Sequence, residues 1–357
     1  MFKICKDIKN EELEMRQVFA TVMDDLASED ERVVYLDADI INSIKMVEFS
    51  KKFPERTVNC GIQEANMIGV AAGMSATGLI PFTHTFAPFT TRRVMDQVFI
   101  SCAYAKLNVR IIGSDPGLTA GGNGGTHIPL EDIGMMRCVP TVTIIEPTDS
   151  IVLSDMLRQT KDMYGVFYIR LSRKKAEQIY MPDSTFEIGK ANTLREGNDA
   201  TIVASGICVS DACRVADKLA DEGIHVRVLD MFTIKPIDKE AIIKASKETG
   251  AIVTVENHNI MNGLGSAVSE VLSEQAPCRM KRLGAPDCFG EVGTIPFPLS
   301  RSAGIFCVLE LISVRKRSHN TIIRLSVMEC GVNFGSSMKV KCKPSMTLLL
   351  SLSCTIR

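Results

Sequence analysis

The sequence contains no tryptophan, and aromatic residues make up only 6% of its 357 positions. A nucleic-acid-binding surface of stacked aromatic side chains is therefore not expected. No apolar run approaches the roughly 20 residues that a membrane-spanning helix needs. The charged start MFKICKDIKNEELEMRQ is unlike a signal peptide. We accordingly expect a cytoplasmic protein with neither a membrane nor a nucleic acid as partner.

Metal-binding and disulfide patterns are also missing from the sequence. Its 12 cysteines include no CxxC pair and no spacing typical of metal ligands. Without a signal peptide, such cysteines are expected to be free thiols in a reducing compartment. We therefore predict that the chain itself binds no metal ion.

Charge is unevenly distributed along the chain. Residues 295–357 contain nine Lys or Arg, two Glu and no Asp, a net charge of +7, whereas residues 1–294 contain 32 basic and 40 acidic residues, a net charge of −8. The basic segment has neither helix caps nor a steady apolar period. We predict that residues 295–357 form an irregular tail, disordered or foreign to the fold, with apolar clusters prone to aggregation.

Short apolar runs alternate with helical patterns before this tail. Residues Arg32–Ile40 and Ile80–Phe86 are predicted strands, and residues Thr90–Leu107, with apolar side chains four apart, are a predicted helix. A further strand is predicted at TVNCGI, and buried strands are predicted at VRIIGSD, VTIIEP and VFYIRLS. Continuous β-branched runs separated by helices are typical of a parallel sheet covered on both faces. The sequence therefore predicts an α/β fold.

A second unit follows a polar connector that contains Pro182. Strands are predicted at ATIVASGI, HVRVLDMFTIKP and AIVTVENH, each followed by a helical pattern. This β-α-β-α-β-α order is typical of a second doubly wound domain. We predict domains at residues 1–182 and 188–294.

Two short stretches contain candidate functional residues. In GIQEANMIGVAAGM (61–74), Glu64 is the only charged residue, at the start of an apolar helix; it is either an exposed first-turn Glu favoured by the helix dipole or a functional buried carboxylate. In GLTAGGNGGTHIPLEDIGMMR (117–137), five glycines precede His127. That histidine is either an acid–base or hydroxyl-binding group or a helix-cap or packing residue.

Longer blocks around these stretches resemble a known family. The block FPERTVNCGIQEANMIGVAAGMSATGLIPFTHTFAPFTTRRVMDQV, with GGTHIPLEDIGMMRCVPTVTIIEPTD, resembles the pyrimidine-binding domain of the thiamine-diphosphate enzymes of the transketolase family. HNIMNGLGSAVSEVL and KRLGAPDCFGEVGT resemble its C-terminal domain. The resemblance covers about residues 10–294 and is closest to split transketolases, whose C-terminal half is a separate chain. Two alternatives are the β subunit of a 2-oxo-acid dehydrogenase E1 component and a non-catalytic assembly subunit.

The resemblance implies roles for the residues that would meet the cofactor. Glu64 matches the Glu that hydrogen-bonds N1′ of the aminopyrimidine, where an apolar environment helps a carboxyl group to share a proton. Phe89 matches the aromatic residue that stacks on this ring, with Phe86 beside it. Arg92 lies where it can flank the ring, and Asp39 matches an Asp near the cofactor.

The resemblance also implies a sugar-phosphate site. Ser43, Arg16 and Arg173 match residues that contact the phosphate, for which the arginine fork is well suited. His127 matches a His that contacts hydroxyls of the donor sugar. Asp115 lies at a position where the family has a His. The family sequence GEDGPTH is GGNGGTH in this chain, so Asn123 replaces an acidic residue. We therefore expect an unusual donor or acceptor.

One family motif is missing altogether. No GDG followed by Asn, the signature that binds the diphosphate through Mg²⁺, occurs in the sequence. The resemblance therefore implies an N-terminal subunit that binds Mg²⁺ and the diphosphate, in an assembly predicted to be α2β2. It implies transfer of a two-carbon ketol group between sugar phosphates, with the chain inactive on its own.

Overall fold

The computed structural model describes residues 1–292 and, further along the chain, residues 308–317, 320–331 and 341–351. The α-helices are α1 Met15–Glu29, α2 Val47–Lys52, α3 Glu64–Ala76, α4 Asp132–Arg137, α5 Ser150–Asp162, α6 Cys208–Asp221, α7 Lys239–Thr249 and α8 Leu264–Gln275. The strands are β1 Ile4–Asn10, β2 Val33–Asp37, β3 Thr57–Asn59, β4 Ile80–Phe86, β5 Val109–Ser114, β6 Thr143–Ile145, β7 Val166–Leu171, β8 Glu177–Tyr180, β9 Asn192–Arg195, β10 Ala200–Ala204, β11 Val226–Asp230, β12 Thr233–Lys235, β13 Ala251–Asn259, β14 Arg279–Ala285, β15 Val308–Arg317, β16 Asn320–Gly331 and β17 Lys341–Ser351. No helix in these described ranges is long and apolar enough to cross a membrane.

The first large sheet confirms the predicted α/β class. Its seven strands have the order β12-β6-β7-β5-β4-β2-β3, and all neighbours are parallel except β12 and β6. Strands β5 and β7 are buried along their whole length, as expected for strands covered on both faces. The carboxyl ends of β2, β4 and β5 therefore lie side by side, where a ligand site is expected.

The second large sheet confirms the second doubly wound domain. Its order is β14-β13-β10-β11-β9, with β9 antiparallel at one edge. The single predicted strand HVRVLDMFTIKP is instead divided: β11 belongs to the second sheet, whereas β12 pairs with β6 of the first. Met231 and Phe232, between these strands, are buried. The chain thus covers an open edge of the first sheet with a strand from the second half.

The predicted helix at Thr90–Leu107 is only partly correct. Residues 91–94 form turns, and Gln97–Tyr104 is a π-helix. At its end the amide of Leu107 donates to the carbonyl of Cys102, five residues back, at 2.9 Å. The predicted apolar stripe is still buried, at Val94, Val98 and Cys102. The spacing of apolar residues thus predicted which face of this segment is buried, but it did not predict the wider turn of a π-helix.

Part of the predicted tail has regular structure. Strands β15, β16 and β17 form an antiparallel sheet in that order. The remainder of residues 295–357 lies outside the described residues. That the tail is foreign to the fold stays a prediction.

Candidate active site

Glu64 is the first residue of α3 and is buried, with 6% of its surface exposed. Its Oε1 lies 2.6 Å from Nη1 of Arg93, whose side chain is 49% exposed. An ionised carboxylate is costly to bury without a partner, and Arg93 supplies that partner. The alternative of an exposed first-turn Glu is therefore wrong, and Glu64 is not the unpaired group that its sequence context suggested.

Arg93 also joins Glu64 to a cluster of rings. Its guanidinium carbon lies 3.9 Å from the centre of the Phe89 ring, within the range of a cation–π contact. The Phe86, Phe89 and His127 rings contact one another edge to face, with centres 5.1 to 6.1 Å apart. The fold thus brings Glu64, Phe86, Phe89 and His127 together from three separate segments.

The neighbouring Arg92 points elsewhere. Its Nε lies 3.0 Å from Oε1 of Glu131, and its Nη2 donates to the carbonyl of Thr126 at 3.2 Å. Arg92 therefore holds the end of the glycine-rich loop, while Arg93 makes the contacts with Glu64 and Phe89. Sequence reasoning selected Arg92 and missed Arg93, because only the turns at residues 91–94 decide which of two adjacent arginines faces the helix start.

Asp115 and Arg173 form a second pair at the end of β5. Arg173 Nε donates to Asp115 Oδ2 at 2.8 Å, and the guanidinium carbon lies 4.8 Å from the centre of the Phe86 ring. Asp115 is buried and has a left-handed backbone, with φ of 53°. Thus the residue predicted to bind the sugar phosphate, Arg173, is held against the ring cluster by the Asp that stands in place of the family His.

The start of α1 brings Arg16 to the same side. The amide of Met15 donates to the carbonyl of Lys174 at 3.1 Å, which places α1 next to the residue after Arg173. Arg16 Nη1 donates to the carbonyl of Ser43 at 2.9 Å, and its Nη2 lies 2.6 Å from Glu14. The hydrogen bond from Arg16 lowers the pKa of Glu14, and nearby lysines add to this effect.

The other predicted substrate and cofactor residues make fewer contacts. The Ser43 hydroxyl oxygen is buried and has no hydrogen-bond partner among the residues that the structure describes. Asp39 is exposed after β2, with φ of 65°, and its Oδ1 accepts from the Asn59 side chain at 3.0 Å. Asn123 is exposed in the glycine-rich loop. These three residues have polar groups available to a ligand or a partner chain.

A buried polar network that sequence reasoning missed lies beneath this site. His84 in β4 has its Nε2 2.9 Å from the Ser114 hydroxyl, and Tyr35 donates to Asp37 Oδ2 at 2.8 Å. The Tyr35 hydroxyl lies 3.3 Å from His84 Nδ1. Burial lowers the pKa of His84, against the opposing effect of Asp37. The network ties β2, β4 and β5 together at the ends that carry Asp39, Phe86 and Asp115.

Comparison with known proteins places these residues in a family. The family model for the transketolase pyrimidine-binding domain matches residues 11–178, and that for the transketolase C-terminal domain matches residues 189–301. A 6-deoxy-6-sulfo-D-fructose transketolase subunit of Clostridium sp. strain MSTE9 is 47% identical over 287 residues, covering 80% of this chain and 89% of that one. An apulose-4-phosphate transketolase subunit of Phocaeicola vulgatus is 37% identical over 279 residues, covering 78% of this chain and 89% of that one.

A solved structure agrees with both matches. It is described as a split-gene transketolase, inactive β4 tetramer; it is 40% identical, with a TM-score of 0.73, covering 79% of this chain and 92% of that chain. These relatives are split transketolase subunits, which favours the main functional interpretation over a 2-oxo-acid dehydrogenase β subunit or an assembly subunit. The chain belongs to the transketolase family, as a C-terminal subunit of the split type.

Proposed function

We propose that this chain provides the pyrimidine-binding half of a thiamine-diphosphate-dependent enzyme that moves a two-carbon ketol group between sugar phosphates. The observation that carries the proposal is the buried Glu64 carboxylate beside the Phe86, Phe89 and His127 rings. A buried carboxylate and an adjacent aromatic ring suit an aminopyrimidine, which offers a ring nitrogen to bond and a face to stack. The residues present therefore fit this half of the cofactor.

Each group would have a distinct task. The cofactor, when bound, supplies the electron sink for the two-carbon fragment. Glu64 would hold a proton at the pyrimidine ring, and Phe89 would fix the plane of that ring. His127, at the end of the glycine-rich loop, would bind and orient hydroxyl groups of the sugar. Arg173, beside Phe86, would bind the anionic group at the end of the sugar substrate.

A separate N-terminal subunit would bind the diphosphate and Mg²⁺, and the assembly would be α2β2 in the cytoplasm. Apolar side chains are exposed just before α3 and along the π-helix beside it: Ile62 is 69% and Tyr104 is 77% exposed, and Phe99 and Ile100 are also exposed. Ile62 precedes α3, and the other three belong to the π-helix that packs against α3. Exposed apolar groups along a pair of packed helices are typical of an interaction surface, so this face would contact the partner subunit.

A second candidate donor is a sulfonated sugar. It is favoured by the Clostridium relative and by the pairing of the two candidate anion-binding arginines, Arg173 with Asp115 and Arg16 with Glu14. Each carboxylate offsets one positive charge. A sulfonate carries a single negative charge, so it needs less compensation than a phosphate, which carries nearly two at neutral pH.

The test combines this chain with its N-terminal partner, thiamine diphosphate and Mg²⁺. We expect ketol transfer from the mixture only; activity of the purified single chain would contradict the split arrangement. Glu64→Ala should slow hydrogen–deuterium exchange at cofactor C2 by about 10²–10⁴-fold, the usual value of an acid–base group. Glu48→Ala, at the exposed start of α2, is the control. Exchange at the wild-type rate in Glu64→Ala would refute the proposal.

The donor is decided by comparing kcat/KM for a ketose phosphate and for 6-deoxy-6-sulfo-D-fructose in the same assembly. A higher value for the sulfonate would replace the phosphate proposal with the second candidate. Turnover of a 2-oxo acid in place of either sugar would contradict both.

A further inference from the structure

The glycine-rich loop of the first domain is held by a side chain from the second. Asn257, near the end of β13, is 1% exposed. Its Nδ2 donates to the carbonyl of Pro116 at 3.0 Å, and its Oδ1 accepts from the amide of Leu118 at 2.9 Å. One amide side chain thus satisfies the backbone groups on both sides of Gly117.

This contact leaves no space for another side chain. Gly117 has φ of +56°, and a Cβ there would overlap both the carbonyl and the side-chain oxygen of Asn257. Only glycine can combine a left-handed backbone with so close an approach. The start of the loop is therefore fitted to Asn257.

The second domain contacts the same loop at two later points. The amide of Asn259 donates to the carbonyl of Leu130 at 2.9 Å. In the middle of the loop, a Cβ on Gly125 would lie 2.6 Å from the carbonyl oxygen of Gly290. His127 lies between these points, so the loop is held on both sides of it.

Asn257 is itself fixed by a buried ion network. The carbonyl of Asn257 accepts from Arg170 Nη2 at 3.1 Å, and Arg170 Nε lies 2.7 Å from Asp132 at the start of α4. Arg170 also pairs with Glu146. Breaking a buried charged network is costly, so the network holds β13 against the first sheet at the level of the loop.

We infer that the second domain acts in the reaction by holding the sugar-facing loop, with Asn257 as the positioning residue for His127. The inference rests on the proposed function for the role of this loop. The contact of Asn257 with the loop, called the clamp below, does not depend on that function. A catalytic group displaced by about 1 Å can lose as much as 100-fold in rate. A side chain more than 100 positions away in sequence therefore controls the geometry of the donor site.

The clamp is tested in the isolated chain by amide hydrogen exchange. Asn257→Ala should speed exchange of loop amides 117–127 by about 10-fold or more, because local opening controls their protection. Asn259→Ala is a matched control: it removes a side-chain amide that bonds to the backbone of Pro286 and Met261, within the second domain, and keeps the backbone amide that donates to Leu130. Loop exchange unchanged by Asn257→Ala would overturn the inference. If that variant does not fold, Asn257→Asp, which keeps the bond from Leu118, should give a smaller increase.

The consequence is tested in the assembled enzyme. Asn257→Ala should lower kcat/KM for the sugar by about 10- to 100-fold, with unchanged affinity for thiamine diphosphate. In a His127→Ala background the same substitution should have little further effect, because residues that act as a unit are not additive. Additive losses would overturn the positioning role. Absence of ketol transfer by the wild-type assembly would refute the proposed function, whereas the exchange experiment decides on the clamp alone.

Discussion

Arg93 occupies both groups on which the pyrimidine ring of the cofactor is proposed to dock. Its guanidinium pairs with Glu64 at 2.6 Å and covers the Phe89 ring at 3.9 Å. An incoming ring must take the place of the guanidinium on both. We therefore predict that Arg93→Ala increases the affinity of the assembled enzyme for thiamine diphosphate.

The size of the effect follows from the exposure of the pair. The Arg93 side chain is 49% exposed, so its ion pair is worth about 0.2–1 kcal/mol. The cation–π contact at such a site adds about 0.5–1 kcal/mol. Their loss on cofactor binding is therefore about 0.7–2 kcal/mol, which corresponds to a tightening of Kd by about 3- to 30-fold in Arg93→Ala.

The assay is isothermal titration of the assembled enzyme with thiamine diphosphate in the presence of Mg²⁺. Arg92→Ala is the matched control, since Arg92 pairs with Glu131 instead of Glu64, and its Kd should stay at the wild-type value. Weaker binding in Arg93→Ala would refute the reasoning and make Arg93 a cofactor ligand. An unchanged Kd would show that Arg93 remains beside Glu64 when the ring is bound.

Four further predictions concern the sugar site, the tail and pH. His127→Ala should lower kcat/KM for the sugar by about 10²-fold or more without changing cofactor affinity; a loss confined to cofactor binding would contradict this assignment. Asp115→Asn should remove the carboxylate charge that offsets Arg173, so the KM for sugar phosphates should fall more than the KM for sulfonated sugars. An equal change in the two KM values would contradict a charge effect. A chain that ends at Thr294 should assemble with its partner at wild-type activity and equal or better solubility; loss of folding would show that the tail is structural. Burial raises the pKa of Asp230 to about 7, so the stability that its protonated form contributes is present below the ordinary Asp pKa and is lost as pH rises through about 7. The free energy of unfolding of Asp230→Asn, relative to wild type, should therefore increase between about pH 5 and pH 8 in urea titrations, and parallel curves would refute this.

The fold could be predicted because its signals are local and repeated. Strand β4 has the bounds Ile80–Phe86 that were predicted from its apolar run. Helix α7 ends at Thr249, followed by Gly250 in the left-handed region, as glycine after a helical pattern indicates. The errors occur where tertiary contacts override local pattern, at the π-helix Gln97–Tyr104 and at β12, which leaves one sheet for the other.

The candidate site was predictable only in part. Glu64, Phe89 and His127 stand in blocks that resemble the family, so their positions could be selected from sequence. Arg93 and Asn257 could not, because their importance lies in which groups they face after folding. Arg93 follows another arginine, and Asn257 is separated from Gly117 by 139 residues of chain. A pairing across such a distance leaves no periodic signal in one sequence.

Charge around the site is balanced within the chain itself. Four arginines near the ring cluster and the loop each hold a carboxylate: Arg16 with Glu14, Arg92 with Glu131, Arg93 with Glu64, and Arg173 with Asp115. Because each of these arginines is already paired with a carboxylate, an anionic or proton-accepting ligand must take the place of one member of a pair. Only the Arg92–Glu131 pair is exposed on both sides, so it is weak and screened by salt. The Arg16–Glu14 and Arg173–Asp115 pairs are largely buried, so a ligand must replace their contacts closely. Selectivity then comes from geometry, through the paired donors of each guanidinium and the loop that Asn257 holds.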